Sequence, residues 1–237
     1  MPSKTVSDAE LARFDAMAAG WWDQQGPMRA LHRMNPARIG WIAERVERRF
    51  AGHSGLSLLD VGCGGGIAAE ALAARGFQVL GIDAAAATIG VARGHAERRG
   101  LPVAYRVATA EAVLAEGSRF SVVTALEVIE HVPDPGAFVT VLGRLLEPGG
   151  MLFLSTLNRT GRSFIAGKIG AEYLLRWLPV GTHDWRRFIT PVELATELRR
   201  AGLHLADLAG LSPDPLRGGW RVTADLSVNY LAAAHAR

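Results

Sequence analysis

Leu58-Leu59-Asp60-Val61-Gly62-Cys63-Gly64-Gly65-Gly66 is the stretch on which the reading of the fold turns. Residues 57–62 form a short apolar run with the look of a buried strand, and residues 67–76 carry helical spacing that ends on Gly76. Glycines between the two let a ligand approach backbone amides at the start of the helix. A dinucleotide loop needs G-x-G-x-x-G, whose third glycine lets helix and strand pack closely. Gly62 and Gly64 fill the first two places, but the third is Ile67. The spacing fits G-x-G-x-G instead, with Asp60 inside the strand. Asp83 ends the next strand, where a carboxylate can accept from both hydroxyls of a ribose or simply cap a helix.

Outward from this loop the chain alternates. Strands are expected at 78–83, 103–108, 120–126 and 151–157, and helices at 86–100 and 137–146, the latter stopped by Pro148-Gly149-Gly150. Residues 158–190 interrupt the rhythm, and a helix at 190–202, a strand at 203–211 and an apolar run at 226–231 complete it. Strands separated by helices predict an α/β, doubly wound, mostly parallel sheet, here of seven strands. Upstream, residues 8–20 look helical, with Asp8 as cap and Leu11, Phe14, Met17 and Ala18 at helical spacing. Asn35-Pro36 reads as N-cap and first residue of a second helix. The expected organisation is one domain, 1–237, with an N-terminal helical extension (1–56) and an insertion (158–190).

Composition narrows the classes. With 49% apolar residues in 237, a buried core is assured and disorder is excluded. Cys63 is the single cysteine, so no internal disulfide forms. Residues 1–20 lack the apolar run of a signal peptide, and no apolar stretch approaches the roughly 20 residues that span a bilayer, which predicts a cytoplasmic protein. The net charge of +3 is scattered, without a basic run, and nothing asks for nucleic acid.

The loop resembles that of S-adenosylmethionine-dependent methyltransferases, which holds a cofactor lacking a pyrophosphate. Five stretches resemble the ubiquinone-biosynthesis O-methyltransferases more closely: WWDQQGPMRALHRMNPARIGWI (21–42), LLDVGCGGG (58–66), EVIEHVPDP (127–135), GGMLFLSTLNRTGRSF (149–164) and GAEYLLRWLPVGTHDWRRFITPVEL (170–194). The resemblance implies O-methylation of a polyprenyl catechol or hydroxyphenol, work beside other enzymes of that pathway, and peripheral association with the inner membrane. It also implies that Arg38, Gly62, Asp83 and Leu126 touch the cofactor, and Asp60 and Gly64 complete that loop set. A guanidinium such as Arg38 can grip the methionine carboxylate bidentately, although many helix arginines are merely solvated. Many related enzymes carry an acid after strand three, near the adenine amino group; here Ala108-Thr109-Ala110-Glu111 leaves backbone groups or Glu111 for that task. The runner-up readings are a methyltransferase of another small phenol or amine, and a non-catalytic S-adenosylmethionine-binding module. Ile67 argues against a nicotinamide enzyme.

Methyl transfer to oxygen is an in-line displacement in which the enzyme aligns the reactants and removes a phenolic proton, of pKa about 10. Glu127, Glu130 and His131 follow strand four, and on a helical turn they share one face. His131 is a candidate general base. Alternatively, the three bind a divalent cation such as Mg²⁺ that chelates a catechol, or they only shape the turn. Trp21 and Trp22 either cover the cofactor or belong to the core. His183 and Asp184 either line the catechol pocket or shape a loop.

Residues 163–178 place Lys168, Glu172 and Arg176 four apart, with Phe164, Ile165, Ile169, Leu174, Leu175, Trp177 and Leu178 filling much of the rest. This is the pattern of an interfacial helix and also of a lid packed on the sheet. On the interfacial reading, the protein co-sediments with anionic liposomes and Trp177→Asp with Leu178→Asp abolishes it. Absence of co-sedimentation in the unsubstituted protein leaves the lid.

Overall fold

The computed structural model describes residues 8–52, 54–164, 185–214 and 219–236. Strand β1 (Ser57–Val61) is buried on both faces: Leu58 enters the core on one side and Leu59 the core on the other. It pairs in parallel with β2 (Gln78–Asp83) and with β4 (Phe120–Leu126), so Leu59 lies between Leu80 and Val123. Next to β2 lies β3 (Val103–Val107), and next to β4 lies β5 (Leu146–Leu157), both parallel. Beyond β5 the sheet turns antiparallel through β6 (Leu203–Asp214), β7 (Gly219–Thr223) and β8 (Asn229–Ala236), giving the order β3-β2-β1-β4-β5-β8-β6-β7.

Helices cover both faces. On one lie α2 (Arg29–Phe50), α3 (Ile67–Ala73) and α4 (Ala86–Arg99), which contribute Ile42, Leu72 and Ile89 to the core. On the other lie α5 (Ala110–Ala115), α6 (Pro135–Arg144) and α8 (Pro191–Arg200), contributing Val113, Leu142 and Leu198. Helix α1 (Asp8–Met17) precedes these, and a single turn, α7 (Gly161–Ser163), follows β5. Local chemistry sets their ends. Asp134 accepts from the Ala137 amide ahead of Pro135, and Thr190 and Glu193 form a capping box ahead of Pro191. Gly100 closes α4 at φ 61°.

Four expectations are corrected. Among the described residues the sheet has eight strands rather than seven: β7 is short and half exposed, so it carries no apolar run that periodicity registers. The final strand is β8, 229–236, rather than 226–231. Its Ala232, Ala233 and Ala234 are buried between β5 and β6, where small side chains fit, and this burial overrides alanine's helix preference. Helix α2 begins at Arg29 and runs through Pro36, because Asn35 is not a cap: its side chain donates to the Ile67 carbonyl (2.9 Å) and accepts from Arg38 (3.0 Å). Finally, α5 lies within what the sequence left as a loop, opened by a Thr109 cap.

Leu231 of β8 is fully buried in the antiparallel half. Leu231→Ala is expected to lower unfolding free energy by about 2–5 kcal/mol through the cavity it leaves. In urea titration this appears as a lower midpoint at unchanged slope.

Candidate active site

The sheet order reverses where β1 meets β4, and the carboxyl ends of such strands leave a crevice. The turn after β1 enters it with Gly62, Gly64 and Gly66 at φ 69°, 52° and 93°. Only glycine adopts these readily, and space demands it too. A Cβ on Gly62 would lie 2.6 Å from Val128 Cγ2, and one on Gly64 2.1 Å from Trp21 Cζ2. The turn is bonded to β2: the Gly62 and Cys63 amides donate to the Ile82 carbonyl (2.8 and 3.0 Å) and the Gly64 amide to the Asp83 carboxylate (2.9 Å). The other Asp83 oxygen accepts from the Ala85 amide (2.8 Å). Burial raises the Asp83 pKa, against those backbone donors.

The N-terminal extension covers this turn. Trp21 lies on Gly64 and Gly65, and its carbonyl is bonded to His32 Nε2 (2.9 Å). Trp22 donates to the Gly65 carbonyl (2.8 Å) and stacks on His95 of α4 at 3.5 Å, while His95 Nδ1 meets Glu70 at 2.8 Å. Both tryptophans are thus tied to the glycine turn, and Trp21 also lines the cavity.

A cavity of about 530 Å³ opens there, and Arg38, Asp60, Gly62, Gly64, Asp83 and Leu126 all line it. Arg38 is buried. Its Nε donates to Asn35 (3.0 Å), whereas Nη1 is buried without a hydrogen-bond partner. Asp60 is its counterpart: one oxygen accepts from Thr124 Oγ1 (2.6 Å) and Oδ2 is buried without a partner. Burial pushes the Asp60 pKa up to about 6, with Thr124 and Arg38 opposing it. A buried polar atom without a partner costs about 1–3 kcal/mol, so two in one cavity mark a place for a ligand of both charges. Both oxygens of Glu111 are likewise buried without partners, beside cavity-lining Thr109 and Ala110.

At the end of β4 the sequence reading needs correction. Residues 127–131 are not one helical turn: Glu127 stands outside it at φ 58°, and only Ile129–His131 form a 3-10 turn. The three candidate side chains therefore diverge. Glu127 lines the cavity and accepts from Ser155 Oγ (2.7 Å). Glu130 is buried behind the wall and accepts from Thr156 Oγ1 (2.9 Å). Burial first, then the charge of Glu127, raises its pKa to about 7. His131 lines the cavity, and its Nδ1 lies 3.0 Å from Glu10 of α1. Burial pulls the His131 pKa down, but the Glu10 carboxylate beside Nδ1 and the charge of Glu130 outweigh it and raise it. Among the described residues no three His, Cys, Asp or Glu side chains gather as ligands of one metal ion would, so Glu127, Glu130 and His131 are not a preformed metal site.

Sequence reasoning missed Glu10, Asn35, Thr124, Ser155 and Thr156. Each acts across elements distant in the chain, and no local spacing announces it. The rest of the cavity is apolar, with Leu31 and Met34 of α2 facing Leu211, Pro213 and Trp220 of the β6–β7 hairpin. Of the insertion, Trp185 donates to the Thr160 carbonyl (3.0 Å) and meets Phe164 edge-on at 6.0 Å. Lys168, Glu172, Arg176, Trp177, Leu178, His183 and Asp184 lie outside the described residues. No helix among the described residues is long and apolar enough to cross a membrane.

Fold and cavity together define a methyltransferase domain, and residues 30–208 match the family described as "Methyltransferase domain". Magnesium protoporphyrin IX methyltransferase from Synechocystis with bound SAM has a similar fold (TM-score 0.64, 15% identity, covering 99% of this chain and 100% of that one). So does a possible histamine N-methyltransferase from Thermotoga maritima (TM-score 0.61, 15% identity, 94% and 98%). Far closer in sequence is the ubiquinone biosynthesis O-methyltransferase of Methylobacterium nodulans, 50% identical over 237 residues, 97% of this chain and 95% of the relative. Those of Azorhizobium caulinodans (48% identical; 95% and 92% covered) and Cereibacter sphaeroides (48%; 98% and 97%) are similar throughout. The chain belongs to the ubiquinone biosynthesis O-methyltransferase family.

Gly64→Ala introduces both the positive-φ cost, about 1–2 kcal/mol, and a clash that Trp21 must relieve by moving. The expected outcome is a red shift of tryptophan emission and a loss of about 2–4 kcal/mol in denaturant unfolding. Gly161→Ala, with open space around it, serves as the control.

Proposed function

We propose that this protein is an S-adenosylmethionine-dependent O-methyltransferase of ubiquinone biosynthesis, acting on a polyprenylated catechol or hydroxyphenol. Near-full-length identity to enzymes of that name supports the reaction. The observation that carries the site is the pair of unpartnered buried atoms, Arg38 Nη1 and Asp60 Oδ2, in one cavity. That pair suits the carboxylate and ammonium of a methionine moiety. Asp83 is already bonded through both oxygens, yet each oxygen keeps a lone pair for a ribose hydroxyl. The glycine turn, on which a Cβ would collide, supplies the close backbone approach, and Leu126 borders the adenosyl group.

When bound, S-adenosylmethionine supplies an electrophilic methyl group on a sulfonium. The attacking oxygen forms a bond to that carbon, the carbon–sulfur pair returns to sulfur, and the phenolic proton must leave. His131 takes that proton on the cavity side, and Glu127 accepts from the neighbouring hydroxyl to set the ring's orientation. Glu130, behind the wall, holds the turn through Thr156. The divergence of Glu127, Glu130 and His131 does not fit one shared cation, so no step is routed through Mg²⁺. The apolar wing between α2 and the β6–β7 hairpin suits the start of a prenyl chain. Such a substrate resides in the bilayer, and the 163–178 stretch then brings the enzyme to that surface.

Methyl transfer from labelled S-adenosylmethionine to a short-chain prenyl catechol is expected, undiminished by EDTA. Turnover lost in EDTA and restored by Mg²⁺ would transfer the task of His131 to a cation. Cofactor binding without turnover on any phenol or amine would leave a binding module. Arg38→Ala is expected to weaken cofactor binding about 30- to 1,000-fold in calorimetry. Asp60 must be ionised to meet an ammonium, so affinity is expected to rise as pH increases through about 6, by at most about tenfold per unit, and to level off above it. Asp60→Asn is expected to lose that dependence.

A further inference from the structure

Helix α1 does more than cover the cavity. Glu10, Phe14 and Met17 line it from one face of the helix. From the same helix, Asp15 Oδ1 accepts from the Ala87 amide at 3.1 Å, at the start of α4. Helix α4 has no side-chain cap of its own, since Ala85 occupies its N-cap position. Asp15 thereby supplies across space what the sequence of α4 lacks, and docks α1 in one orientation.

That docking brings Glu10 Oε2 to 3.0 Å from His131 Nδ1 and sets the Phe14 ring edge-on to the imidazole, at 5.4 Å and 85°. Both partners of the ion pair are largely shielded, with side-chain exposures of 15% for His131 and 20% for Glu10. The His131 ring beside it is the largest cause holding the Glu10 carboxyl below its usual range, and Arg13, at 3.8 Å, and Arg187 add to it. A carboxylate at Nδ1 favours the tautomer with the proton there, which makes Nε2 the basic nitrogen. A ring pinned at one nitrogen and packed on one edge also loses its freedom to turn away.

We propose that Glu10 is a positioning residue for His131, delivered by α1, so that the proton-accepting group is complete only with α1 docked across the cavity. This rests on the reading of His131 as the base. The phenolic proton moves to Nε2 as the oxygen–methyl bond forms, Nδ1–H stays bonded to Glu10, and the carboxylate stabilises the imidazolium until solvent takes the proton. Neither the 127–135 motif nor the glycine turn contains this residue; it comes from the helix the fold places above them.

The test uses the full chain with S-adenosylmethionine and a short-chain prenyl catechol. Glu10→Ala, and Glu10→Leu as a variant that keeps the side-chain volume, are expected to lower kcat about 10- to 100-fold, the scale of a misaligned catalytic group. KM for both substrates and the cofactor Kd should stay within about twofold. Glu10→Gln, whose amide oxygen still accepts from Nδ1–H, should recover much of the loss. In ¹⁵N spectra, with His131→Ala assigning the signal, the Nδ1–H tautomer should dominate in the unsubstituted protein and give way to a mixture in Glu10→Ala. Wild-type kcat and tautomer in both Glu10→Ala and Glu10→Leu would overturn the proposal. So would a kcat loss that Glu10→Gln does not relieve and that follows the melting temperature. An active His131→Ala would instead overturn the base assignment beneath it.

Discussion

The hydrogen bond from the Gly64 amide to the Asp83 carboxylate, 2.9 Å long, joins the turn after the first strand to the end of the second. With the two bonds from Gly62 and Cys63 to the Ile82 carbonyl, it leaves the turn no alternative course. That course forbids side chains at Gly62, Gly64 and Gly65, because Val128 and Trp21 occupy the space a Cβ would take. Cavity-lining residues flank this turn: Asp60 two residues before it, Arg38 on α2, and Trp21 on top.

Arg38 and Asp60 illustrate how a buried charge pair is kept ready. Desolvating each ion costs several kcal/mol, and the protein offsets only part of that with neutral partners, Asn35 and Thr124. Arg38 Nη1 and Asp60 Oδ2 stay unpartnered, and both residues line one cavity. Stability alone would have favoured apolar residues there, and on the proposed function it is a ligand carrying both charges that offsets the cost.

Strain at the end of β4 has the same logic. A non-glycine residue at φ 58° costs of order 1–3 kcal/mol, and Glu127 is held there by its amide on the Ser155 carbonyl (3.0 Å) and its carboxylate on Ser155 Oγ. The kink turns Glu127 and His131 toward the cavity and sends Glu130 behind it. The N-terminal extension closes the other side, tied down by Trp22 on Gly65 and Asp15 on α4.

Periodicity and turn chemistry determined the parallel half of this protein, because a strand buried on both faces is an apolar run and a helix after it ends on glycine or proline. Those signals are local and survive in sequence alone. The G-x-G-x-G turn, Asp60 and Asp83 were legible for the same reason: their spacing is set within one β-α-β unit. The antiparallel half was less so, since Ala232–Ala234 take their strand from burial between β5 and β6, and β7 takes its strand from pairing with β6. The divergence of Glu127, Glu130 and His131 depended on one left-handed residue that Ser155 stabilises from another strand. The meeting of Glu10 with His131 depended on where α1 docks. Such contacts join residues far apart in the chain, and only packing of the whole sheet and its helices brings them within hydrogen-bonding distance.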